Sequence, residues 1–95
     1  MTQGLFNLKE YGIIAFQSTS QALKAERVLK EASAQFLVIP TPRQISASCG
    51  LAVKVAPENL DAVRAALEEK MVRIEGVYHI INADGASHQE KLDND

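Results

Sequence analysis

Two segments with apolar residues at helical spacing and four short apolar runs alternate in the order strand, helix, strand, strand, helix, strand. That order predicts an α+β domain of the ferredoxin-like β-α-β-β-α-β kind, a four-stranded antiparallel sheet with two helices on one face. The chain has 95 residues, 46% hydrophobic and 23% charged, enough for one core and too few for two domains. The domain is placed at residues 10–82, after an arm at 1–9 that shows no period.

The first strand is read at 11–16, where Tyr11, Gly12, Ile13, Ile14, Ala15 and Phe16 make a nearly continuous apolar run. Ser18, Thr19 or Ser20 then offers a cap for a helix at about 20–33, whose stripe is Ala22, Ala25, Leu29 and Ala32, widened by Leu23 and Val28. Phe36, Leu37, Val38 and Ile39 form a second strand, too short for a helix. Residues 51–55 alternate Leu51, Val53 and Val55 with Ala52 and Lys54, the pattern of a half-buried third strand. Pro57 suits a first helical turn, and Glu58 and Asp61 favour the positive end of the helix dipole. The second helix is therefore set at about 57–70, with Leu60, Val63, Leu67 and Met71 on one side. Residues 77–81 read as a fourth strand. From residue 82 the composition turns small, polar and acidic, so 83–95 is read as a disordered tail.

Composition also excludes partners. A net charge of −2 gives no electrostatic footprint for nucleic acid or an anionic membrane. No apolar run approaches the roughly 20 residues that span a bilayer. The N-terminal residues, with Lys9 and Glu10 soon after Phe6, do not read as a secretory signal. One cysteine forms no internal disulfide, and together these features point to a cytoplasmic protein.

One segment is not explained by core building. Between the second and third strands stand Pro40, Thr41, Pro42, Arg43, Gln44, Ile45, Ser46, Ala47, Ser48, Cys49 and Gly50. Two prolines one residue apart fix φ twice and bias the preceding residues toward extended backbone, so the chain must loop. Cys49 is the only cysteine. A thiol reacts as thiolate, which needs positive charge or hydrogen-bond donors beside it. Arg43, Ser46 and Ser48 supply them in sequence, and Gly50 lacks a Cβ that would crowd the sulfur. An inert, buried cysteine at a loop-to-strand junction is the competing reading, since free cysteine is among the most buried residue types. A cysteine hydrolase would want a histidine base, and neither His79 on the last strand nor His88 in the tail is well placed in sequence. One cysteine and two dispersed histidines match no zinc spacing, and no Gly-rich phosphate loop is present. The residues therefore assemble no complete enzyme, metal site or cofactor site.

The run from Tyr11 to Phe16, with Ser18 and Ala22, followed by P-x-P-R-x-I-S-x-S-C-G at 40–50, resembles the family of small selenium/sulfur carrier-like proteins. The resemblance covers about residues 10–81. It implies a ferredoxin-like domain whose single cysteine, here Cys49, carries sulfur or selenium between enzymes. The Cys-Pro-x-Pro signature of other sulfur-relay carriers is absent, because the prolines precede Cys49 by several residues. On this reading Cys49 holds a persulfide-type adduct, Arg43, Ser46, Ser48 and Gly50 bind it, and donor and acceptor proteins are the partners. The protein would then be a carrier or accessory protein rather than an enzyme. The alternative is a small binding or regulatory module, with homodimerisation one form of it, in which Cys49 is structural.

Overall fold

The computed structural model describes residues 9–42, 45, 50–83 and 86–91, with 82, 83 and 86–91 described at the backbone level. The elements are β1 (Glu10–Phe16), α1 (Thr19–Glu31), β2 (Leu37–Pro40), β3 (Leu51–Val55), a 3-10 turn (Pro57–Asn59), α2 (Leu60–Glu69), β4 (Ile74–Ala83) and β5 (Ala86–Lys91). The first four strands make an antiparallel sheet in the order β2-β3-β1-β4, which is the ferredoxin-like arrangement.

Helix α1 starts because Ser18 is extended, at φ −155°, and its hydroxyl accepts the Gln21 N–H at 3.3 Å. Ala22, Ala25, Val28 and Leu29 turn inward, and Leu60, Val63 and Leu67 do the same from α2. These residues join Ile14, Phe16, Val53, Val55 and Val77 in one cluster, so both helices lie on one sheet face. Leu29 and Leu67 are fully buried, and each such side chain contributes about 1.5–3 kcal/mol. At Gly12 an added Cβ would lie 2.7 Å from Leu60 Cδ1, so glycine there lets α2 seat directly on β1.

Both helices end in the same way. Ser33 (φ 57°) and Met71 (φ 62°) take the left-handed conformation usually left to glycine. The following amides, Ala34 N and Val72 N, then bond back to Leu29 O and Leu67 O, each at 3.0 Å.

Three expectations change. The second helix is interrupted, because Pro57 opens a 3-10 turn and the α-helix begins at Leu60. Strand β4 starts at Ile74 rather than 77 and runs to Ala83. Residues 86–91, read as part of a disordered tail, form a fifth strand paired antiparallel to β4. The lengthened β4 offers a row of amides and carbonyls at its edge, and a polar strand satisfies them without contributing an apolar core. Composition measures the second property and not the first. Ala83 pairs with Ala86, and the intervening Asp84 and Gly85 are a residue pair favoured between hairpin strands.

Candidate functional site

The loop after β2 is closed tightly at its base. Pairing of Pro40 with Leu51 is followed by a hydrogen bond from Thr41 N–H to Gly50 C=O at 2.9 Å, which extends the ladder by one rung. This bond also assigns direction to the two prolines. Thr41 points its amide toward β3, so positions 40 and 42 point theirs away, toward the open edge of the sheet. Proline has no donor there to lose, and its presence discourages strand addition at that edge.

Within the loop the Ile45 amide donates to the Pro42 carbonyl at 3.0 Å. Its side chain is only 4% exposed and packs with Ile13, Ala15, Ala52, Tyr78 and Ile80. Those residues form the sheet face opposite the helices, so the loop is anchored across that face and a second apolar layer results. The sequence reading gave Ile45 no role. Its signal was that Ile45 is the one large aliphatic residue between Pro40 and Gly50.

Burial of this face also changes Lys54. Alternation placed it on the solvated side of a half-buried strand, yet β3 is covered on both faces and Lys54 is only 9% exposed. Its Nζ lies 4.2 Å from the centroid of the Tyr11 ring. Desolvation holds its pKa below the usual lysine value.

Arg43, Ser46, Ser48 and Cys49 lie outside the described residues. Gly50 is described and exposed, and among the described residues beyond its chain neighbours an added Cβ there would meet nothing within 4 Å. Ala15 pairs with Ala52, so the chain leaving β1 toward Ser18 and the chain arriving at β3 from Gly50 occupy the same end of the sheet. That end carries the α1 N-terminus, with no acidic residue in its first turn, and the Ser18 and Ser20 hydroxyls 3.1 Å apart. Arg73 is tied to it through its main chain, donating N–H to Gln21 Oε1 at 2.8 Å and accepting Gln17 N–H at 3.4 Å. The resulting rim is electropositive from helix amides.

His79 is far from this end. It pairs with Gly12, which pairs with Val55, five residues along β3 from Gly50, or about 16 Å at strand spacing. It contacts Glu10 instead, Nε2 to Oε2. Among the described residues no three His, Cys, Asp or Glu side chains gather around a common point. A groove of about 500 Å³ between the C-terminal end of α1 and α2 is also at the far end, lined by Ser33, Gln35, Asn59, Val63 and alanines.

A ferredoxin-like sheet defines the class: a small α+β domain whose single cysteine stands in sequence between the second and third strands. A family described as "Putative Se/S carrier protein-like" matches residues 11–79, and the chain belongs to that family. No curated protein and no solved structure matches it. Among the described residues, no helix is long and apolar enough to cross a membrane.

Proposed function

We propose that the protein carries sulfur or selenium as a persulfide-type adduct on Cys49 and delivers it to a partner enzyme. The observation that carries this reading is the family match across residues 11–79, which spans the whole loop. The anchoring of that loop at Thr41, Ile45 and Gly50 supports it, because a carrier thiol needs a fixed platform open to partners.

In loading, the Cys49 thiolate attacks the terminal sulfur of a donor persulfide. A bond forms between Cys49 Sγ and that sulfur, the donor's S–S bond breaks, and the donor leaves as its thiolate. Delivery reverses the roles: an acceptor nucleophile takes the terminal sulfur and Cys49 leaves as thiolate. No external oxidant or reductant is consumed in either step. A terminal selenium follows the same course. Arg43 stabilises the anion, Ser46, Ser48 and the Gly50 N–H orient it, and the nearby α1 N-terminus adds a favourable field.

Alkylation of the folded protein tests the platform. Cys49 should react without denaturant, and Arg43→Ala should slow the reaction at neutral pH by lowering the thiolate fraction. A thiol that reacts only after unfolding would return Cys49 to a structural role.

A further inference from the structure

The stripe Leu60, Val63 and Leu67 makes Met71 the next residue due to face the core, yet it does not. The α-helix ends at Glu69, the chain turns left-handed at Met71 (φ 62°), and the side chain emerges 80% exposed while Val72 takes the buried place. Glycine would make this turn without steric cost, and a polar side chain would suit the exposure. Methionine does neither, so packing and backbone give it no role in folding. Strain held at an exposed position points to a role outside the fold.

The turn lies at the end of the sheet from which the β2–β3 loop departs. Arg73 C=O accepts the Gln17 N–H, and counting on from the pair Ala15 and Ala52 brings Gln17 level with Gly50. Gly50, Gln17 and Arg73 thus form a row across three adjacent strands, two strand spacings or about 10 Å from first to last. Cys49 is bonded to Gly50, and Met71 is two residues from Arg73. A protein interface of ordinary size covers about 800 Å² on each partner, a disc roughly 30 Å across. An enzyme that reaches Cys49 from this end therefore covers Met71 as well. We propose that Met71 is the apolar anchor on which the persulfide-bearing donor enzyme docks, the methionine filling an apolar socket beside that enzyme's active cysteine. An unbranched, polarizable side chain with three rotatable bonds adapts to such a socket. This inference rests on the carrier reading and names the surface by which its donor is recognised.

The test compares two sulfur sources by intact mass of the full chain. A cysteine desulfurase with free cysteine loads Cys49 through a protein interface. Inorganic polysulfide needs none: the Cys49 thiolate takes its terminal sulfur, an S–S bond breaks, and the polysulfide leaves as an anion one sulfur shorter. The quantity read is the enzymatic loading rate, at subsaturating enzyme, divided by the polysulfide rate of the same variant. Met71→Gly relieves the strain and Met71→Asp places a charge in the socket while tolerating the left-handed region. Each should lower the ratio about tenfold, the effect of losing an anchor worth about 1.4 kcal/mol. Ser33→Gly relieves the same conformation at the C-terminal end of α1, at the far end of the sheet, and should leave the ratio unchanged. A ratio unaltered by both Met71 variants overturns the docking proposal and leaves the carrier reading standing, whereas a wild-type chain that loads from neither source overturns both. A wild-type dimer that Met71→Asp converts to monomer would assign Met71 to a second copy of this chain and overturn the proposal as well.

Discussion

Lys54 carries an ammonium group into an apolar layer, and two effects compete over it. Its contact with the Tyr11 ring favours the charged form by about 0.5–1 kcal/mol in exposed settings and about 2 when desolvated. Desolvation disfavours it and lowers the pKa. The folded pKa thus lies below the unfolded value of 10.5, so the stability linked to this group is present above 10.5 and is lost as pH falls through the folded pKa. Below the folded pKa both states are protonated and the full cost of the buried charge is present. Lys54→Met keeps the aliphatic stem without the charge, so it should be more stable than wild type at pH 7, with the advantage shrinking as pH approaches 10.5. Denaturant melts across that range check it, and a less stable methionine variant at pH 7 would show that the Tyr11 contact outweighs desolvation.

Among the elements, the loop between β2 and β3 behaves as part of the core because Ile45 is buried in it. Ile45→Ala should cost about 2–5 kcal/mol in urea unfolding, the range for buried aliphatic truncations. A cost below about 0.5 kcal/mol would mean that the loop opens independently of the sheet. At the end of α2, Met71 is 80% exposed and held at positive φ, so it has little packing to lose and strain to relieve. Met71→Gly should therefore stabilise the protein by up to about 1 kcal/mol. A thermal melt that falls instead would assign Met71 a contact of its own.

Over the whole molecule, the legible features were those with a period. Ala22, Ala25 and Leu29, like Leu60, Val63 and Leu67, announced helix faces, and the apolar runs announced four strands, so the β-α-β-β-α-β order could be read from residues alone. The polar β5 carried no period of burial, and its pairing depends on an edge created by a longer β4. Ile45 and Lys54 are both buried on the second sheet face, and no local pattern encodes that this face is covered. Of the site, the motif at 40–50 stood out, whereas the shared sheet end of Gly50, Ser18 and Arg73 emerges only from the pairing register. His79, a weak candidate as a base for Cys49, lies at the other end, beside Glu10.

The carrier reading meets its most direct test in the mass of the intact chain after incubation with a cysteine desulfurase and free cysteine, without reductant. The expected result is a gain of about 32 Da, one sulfur atom, confined to Cys49, reversed by dithiothreitol and absent from a folded Cys49→Ser variant. An unchanged mass in the wild-type chain, or a gain that persists in Cys49→Ser, would contradict it.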